Sequence, residues 1–339
     1  MVETKEQQFL LLQAQEILSM WPLAPVSVAM RDRDMVVATE TGERLLKEYT
    51  QGVEQGFRCH MAMEYCIERG FYLIPRHILN KDGKPLTVYG NHCYALQDIW
   101  PAKPIQWQKN RDLYLLGEAM GEVHYAMMGF HQAYLEQPSV TWLQAAMDMA
   151  QLWLSGKSCI PSAYQGEWER LCFVMAKQIE TLGRQESLLL QISAAMPFVH
   201  NGFCSGEIFI LPQGKLWVGG WEHWSGGNSL MDLCAVLHKI AWQRNWDVKA
   251  MEAFLTGYRL KGICHTGIVE VICAWASLPF AAVERLRQDP HREEGAAFSG
   301  WQSIFALQKK KEKTYQSITH WAREYWGGGT VLCGSKERP

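Results

Sequence analysis

The chain has ten cysteines but no CxxC pair, and no cluster of Cys and His with metal-ligand spacing. That absence excludes the common structural zinc sites. The thiols lie singly among apolar neighbours, which predicts buried free cysteines in a reducing compartment. An excess of either charge is also missing. Thirty-three Lys and Arg face 35 Asp and Glu, for a net charge of -2. Such a balance gives no electrostatic footprint for nucleic acid or for a membrane surface. The opening MVETKEQQ is polar and does not read as a secretory signal. No apolar run is expected to reach the roughly 18 to 20 residues of a membrane span, and no internal repeat is found. Together these point to a cytoplasmic protein that engages neither nucleic acid nor membrane.

What the chain does have is apolar bulk. It is 48% hydrophobic over 339 residues, with 15 tryptophans. A chain of that length buries a sizeable core in one large or two linked domains. Trp142, Trp153, Trp242, Trp246 and Trp275 stand at single apolar positions and are expected in helix-packing cores. Lys309, Lys310 and Lys311 form the only dense basic run and read as a solvated helix face.

The order of elements divides the chain. A helix over 5–19 precedes strand-like runs at 26–30, 35–39 and 44–49, with Gly42 in the turn before the last. A helix over 54–69 closes at Gly70, and 71–79 is extended. Asp82-Gly83 signals a hairpin turn before strands in LTVYG and HCYALQDIW. Pro101 and Pro104 then mark a boundary. Helical patterning runs from about 108 to 196, strands return at 207–220, and helix resumes to about 325 before a glycine-rich tail. The domains expected are 1–100, a sheet with one crossing helix; 101–330, helical with a hairpin inside it; and 331–339, a loose tail.

A kinase-like phosphotransferase needs a strand lysine on the nucleotide phosphates and a helix glutamate to hold it. It also needs a loop aspartate at the nucleophile and a metal-binding aspartate. Lys47, in TGERLLKEY, lies where that lysine belongs, and Glu64 on the next helix is its candidate partner. Cys204 lies near His200 and Glu207, yet nothing in the sequence supplies the base or thiolate-favouring setting of a nucleophilic cysteine.

An ordered set of segments carries a resemblance. TGERLLKEY, a helix ending in ERGF, KDGKPLTVYGNHCYALQDIWPAKP, LLGEAMGEVHYAMMGF, HNGFCSGEIFI, VGGWEHW and NSLMDL follow one another over roughly residues 25–260. This set resembles the bacterial spore-coat kinase-like family (CotS type, with YutH- and YsxE-like members). That family belongs to the aminoglycoside/choline-kinase-like phosphotransferases. The resemblance implies an α+β, bilobal protein-kinase-like fold of the aminoglycoside phosphotransferase type, with a small β-rich N-lobe and a larger helical C-lobe. His200 then matches the residue that braces the catalytic loop, and Asp232 the structural acid at a helix start. Where active members carry the catalytic aspartate this chain has Gly202. Where they carry the metal-binding aspartate it has Gly220.

Glycine neither accepts a proton nor binds a cation, so the expected catalytic positions are vacated. Losing a general base alone costs about 10²–10⁴ in rate. Glu207, at the position of the family's asparagine, and Glu222 are the candidate substitute metal ligands. The resemblance thus implies a pseudokinase-like spore-coat or sporulation-associated protein without a required cofactor. It would bind other proteins, spore-coat components among them, in the cytoplasm of the mother cell and in the coat. Two alternatives stay open. One is a divergent small-molecule phosphotransferase using Mg-ATP through Lys47, Glu207 and Glu222. The other is a nucleotide-binding regulatory module without turnover, in which Lys47 and Glu64 hold the ATP phosphates.

Overall fold

The computed structural model describes residues 5–31, 34–100, 102–130, 142–262, 266–288 and 298–326; the expected tail at 331–339 lies outside them. The chain forms two compact units. The first is 1–105 with 200–224, and the second is 106–199 with the chain from 225 onward. The hairpin assigned from sequence to the helical half therefore packs with the small lobe instead.

In the first unit, helix α1 (Lys5–Leu18) leads into strands β1 (Pro25–Arg31), β2 (Asp34–Thr39) and β3 (Gly42–Tyr49). Helix α2 (Val53–Glu68) follows, then β4 (His77–Ile78), β5 (Thr87–Tyr89), β6 (His92–Asp98) and β7 (Lys103–Pro104). The main sheet is antiparallel in the order β1-β2-β3-β6-β4, with β5 also on β6. Alternation along β2 buries Met35 and Val37, which join Ile17, Leu18, Trp21, Leu46 and Leu96 in one core. Trp21 keeps its indole N–H satisfied on the Ile78 carbonyl at 2.7 Å. Helix α2 ends as a glycine-terminated helix should. Gly70 has φ 91°, and the Phe71 N–H reaches back to the Cys66 carbonyl at 3.1 Å.

Three expectations need correction here. The Asp82-Gly83 turn forms, with Gly83 at φ 71°, but the strands beside it, β4 and β5, each pair with β6 and not with each other. The Asn80 side chain holds that turn by accepting from the Asp82 and Lys84 N–H groups. Of the extended run 71–79, only His77–Ile78 is strand. Pro104, expected only as a breaker, pairs through β7 with Phe209 in a second small sheet, on an edge strand as proline requires.

The second unit holds helices α3 (Asn110–Ala126), α4 (Trp142–Ser155), α5 (Gln165–Arg184) and α6 (Glu186–Ala195). Strand β8 (Phe198–Val199) follows, and the chain then passes through β9 (Ile208–Ile210) and β10 (Leu216–Val218) of the first unit. Strand β11 (Ser225–Gly226) pairs with β8, and α7 (Leu230–Gln243), α8 (Val248–Lys261), α9 (Thr266–Ala276), α10 (Phe280–Gln288) and α11 (Phe298–Tyr325) complete the unit. Helices α3 and α8 touch backbone to backbone: a Cβ at Gly257 would lie 1.9 Å from the Tyr114 carbonyl oxygen. Asp232, at the start of α7, is buried against His124 of α3 at 3.3 Å, and His124 also contacts the Tyr258 hydroxyl of α8 at 3.1 Å.

Two apolar expectations and one charged one change in this unit. Trp142, Trp153 and Trp246 are core residues, but Trp242 is 63% exposed. The stretch Thr266–Arg287 is long and apolar enough, by length and composition, to cross a membrane, against the expectation of none; 72% of its window is buried inside the protein. Its Glu270 pairs with Arg323 of α11 at 2.8 Å. Lys311 is not on a solvated face. It is 6% exposed, donates to the Leu278 carbonyl at 2.8 Å and lies over the Phe280 ring. Burial pulls its pKa down to about 7, against the opposing pull of Glu312.

Candidate functional site

Lys47 leaves the middle of β3, where its Cα partner on β6 is Ala95. Its side chain is only 8% exposed, and a buried ammonium needs counter-charge. Three carboxylates supply it. Glu222 Oε1 lies at 2.7 Å, Asp34 Oδ2 at 3.3 Å and Glu207 Oε1 at 3.9 Å. Burial alone would lower the Lys47 pKa, but Glu222, Glu207 and Asp34 together raise it. Burial holds Asp34 and Glu207 above the ordinary carboxylate value despite the lysine. Burial pushes Glu222 the same way, yet its short contact with Lys47 carries it below that value. The ammonium is thus committed first to Glu222.

Glu64, the partner expected from sequence, is not among these contacts and instead faces His60, on its own helix. Helix α2 serves the site differently. Gln55 Nε2 donates to the Glu222 carbonyl at 2.7 Å, and the Cys59 thiol to the Trp221 carbonyl at 3.3 Å. The Arg58 guanidinium lies over the Trp224 ring at 5.1 Å. One helix face therefore fixes the turn that carries Glu222. That turn is a short 3-10 helix, Trp221–His223, so Glu222 follows strand β10 and Glu207 precedes β9, and neither is a strand residue.

Asp34 was missed by sequence reasoning. It opens β2 and stands beside β3, where Met35 pairs with Leu46. Its Oδ1 accepts from the Glu48 N–H at 3.1 Å. The only sequence signal is an acid at the turn from β1 into β2, the strand that precedes the lysine's own strand β3.

The loop from His200 is built on glycines. His200 is fully buried, and its Nδ1 accepts from the Gly202 N–H at 3.1 Å. Its ring sits 4.6 Å from Phe203 and 5.0 Å from Trp221. A Cβ at Gly202 would lie 2.6 Å from the Gly220 carbonyl oxygen and 2.7 Å from His200 Cε1. Gly220 itself has φ 77°, the left-handed region. The two glycines thus close on each other, and the position matched to the catalytic aspartate has no room for a side chain. His200, in the first unit, braces this loop; Asp232, in the second unit, holds His124.

Beneath β3 lies a cavity of about 570 Å³, within the size range of small-molecule sites. Leu45, Pro75, Ile99, Trp100, Phe209 and Trp217 form apolar walls, and Lys47, Asp34, Glu207 and Glu222 line one side. Among the described residues no group of three or more His, Cys, Asp or Glu side chains is arranged to hold a metal ion. Glu207 and Glu222 instead share the Lys47 ammonium, so the residues present do not fit a divalent cation.

No protein-family model matches the chain, and no curated protein does. Solved structures do. An aminoglycoside phosphotransferase from Alicyclobacillus acidocaldarius superposes with a TM-score of 0.74 at 14% identity, covering 91% of this chain and 96% of that one. An amicoumacin kinase in complex with AMP-PNP, Ca2+ and Ami gives 0.57 at 16% identity, covering 91% and 93%. A spectinomycin phosphotransferase in complex with ADP and spectinomycin gives 0.55 at 10%, covering 92% and 98%. The fold is therefore the kinase-like fold of the aminoglycoside phosphotransferases: an antiparallel-sheet N-lobe and a helical C-lobe.

Proposed function

We propose that this protein is a catalytically silent relative of the kinase-like phosphotransferases that works by binding, in the manner of the spore-coat kinase-like proteins its motifs resemble. The observation that carries this reading is the state of Lys47. A phosphate-binding lysine is held by one helix glutamate and keeps its charge available to phosphate, whereas Lys47 is buried among three carboxylates, the nearest at 2.7 Å, and none of them is the helix glutamate Glu64. The packing of Gly202 against Gly220 supports the same reading, because it leaves no place for a catalytic acid on the loop. On this reading the partners are other proteins, coat components foremost, met in the cytoplasm of the mother cell and in the coat. Nucleic acid and membrane are not partners.

A second reading has one observation in its favour. Glu207 and Glu222 both line a cavity large enough for a nucleotide. A divergent phosphotransferase would use that cavity for Mg-ATP, with Lys47 released from its carboxylates. A nucleotide-binding module without turnover would use it for ATP alone. A thermal-shift titration with ATP, with and without Mg²⁺, separates the three. A ligand that binds only the folded state at 100 times its Kd stabilises by about 2.7 kcal/mol. The silent-binder reading predicts no shift in either arm. A shift that requires Mg²⁺ supports the phosphotransferase, and a Mg²⁺-independent shift supports the module.

A further inference from the structure

We propose that the cavity beneath β3 binds an organic cation, an amine carried on a flat apolar body, in place of a nucleotide. This rests on the silent-binder reading of the same site. Three carboxylates face one ammonium there, which leaves two negative charges in a largely buried setting. His223 Nε2, 3.8 Å from Glu222 at the rim, adds positive charge only when protonated. Glu207 is the least satisfied acid. Its carboxylate lies 3.9 Å from Lys47, beyond hydrogen-bond reach, and has no side-chain hydrogen bond among the described residues. A second, independent observation points to a ligand. Gln97 is 4% exposed and lines the cavity, and its side-chain amide has no hydrogen-bond partner among the described residues. The amide is not sealed off from the cavity, so a ligand's polar edge can partner it there.

The remaining walls fix the shape of the ligand. Trp100, Trp217 and Phe209 offer faces for an aromatic or apolar body and for cation–π contact. An anion gains nothing here. Lys47 is already held, and any phosphate would meet Asp34, Glu207 and Glu222 at close range.

The test is calorimetric titration of the full chain at low salt with tryptamine, with indole-3-propionate as its anionic counterpart, and with ATP plus Mg²⁺. Tryptamine is expected to bind at least about tenfold more tightly than the carboxylate, and to weaken as salt rises. Glu207→Gln, which keeps shape and removes one charge, is expected to weaken tryptamine by about fivefold or more. Gln97→Leu should weaken it as well. Circular dichroism on both variants verifies the fold; if Gln97→Leu does not fold, Glu207→Gln alone decides. Equal binding of the two indoles, tryptamine binding unchanged in Glu207→Gln, or no tryptamine binding overturns the proposal. Mg²⁺-dependent ATP binding with turnover would instead overturn the functional reading beneath it. Absence of all binding would sink the amine proposal and leave that reading intact.

Discussion

Replacing Lys47 with Met separates a structural lysine from a nucleotide-binding one. Methionine nearly preserves the volume of the stem and removes the charge. In the native protein the ammonium neutralises Glu222 at 2.7 Å and Asp34 at 3.3 Å, with side chains 23% and 19% exposed. Removing one partner of a buried ion pair typically costs about 3–5 kcal/mol, because the remaining charge stays desolvated. Partial solvent access at both carboxylates, and the ability of Asp34 and Glu207 to take up protons, reduce this to roughly 2–3 kcal/mol. At roughly 2 °C per kcal/mol for a chain of this size, the melting temperature should fall by roughly 4–6 °C in buffer free of nucleotide. Combining Lys47→Met with Glu222→Gln should recover part of the loss, giving a coupling of about 1–3 kcal/mol in a double-mutant cycle. Thermal and urea melts of the four proteins measure it. A Lys47→Met protein that melts within a degree of wild type, with no coupling to Glu222, would refute the structural role.

Other outcomes follow from the same geometry. Restoring the family's aspartates as Gly202→Asp and Gly220→Asp should not create turnover and should lower stability, by about 1–3 kcal/mol for the crowding at position 202 alone; a turnover assay beside a melt checks both. Lys311 has a folded-state pKa of about 7, below its unfolded value, so between about pH 7 and 10.5 the unfolded chain binds more protons and stability rises with pH. Lys311→Met removes that dependence, and its stability relative to wild type should fall by about 1 kcal/mol per pH unit between pH 8 and 10, read from urea melts across that range. Asp232→Ala strips a buried acceptor from His124 and should destabilise by about 1–3 kcal/mol; a wild-type urea midpoint would show that the pair contributes nothing.

The legible parts of this protein were those governed by local patterning. Alternation drew out β2, β3 and β6, Gly70 ended α2, and motif order pointed to the kinase-like fold. Lys47, Glu207 and Glu222 were singled out by position in that order, and the structure brings all three together. What stayed hidden depended on contacts between distant segments. Asp34 becomes a partner of Lys47 only through the pairing of β2 with β3. Glu64 has helical spacing suited to a lysine partner, but α2 directs Gln55 and Cys59, not Glu64, at the Trp221–His223 turn. Lys311 sits in a run of three lysines, and only the packing of α11 against the 278–280 turn decides which of them is buried. Residues 200–224 join the first unit through β7 pairing with β9, a contact that spans about a hundred residues and leaves no local trace.

The proposed loss of catalysis is tested most directly by a sensitive ATP-turnover assay on purified wild type and on Glu207→Gln/Glu222→Gln, with aminoglycoside, choline, sugar and protein acceptors. On the proposed reading, glycine at position 202 and a lysine held by carboxylates leave neither the proton acceptor nor the charge clamp that phosphoryl transfer needs. Both proteins should then turn over ATP at the background rate. Wild-type turnover clearly above background and abolished by the double substitution would contradict the account and make the two glutamates a working metal site.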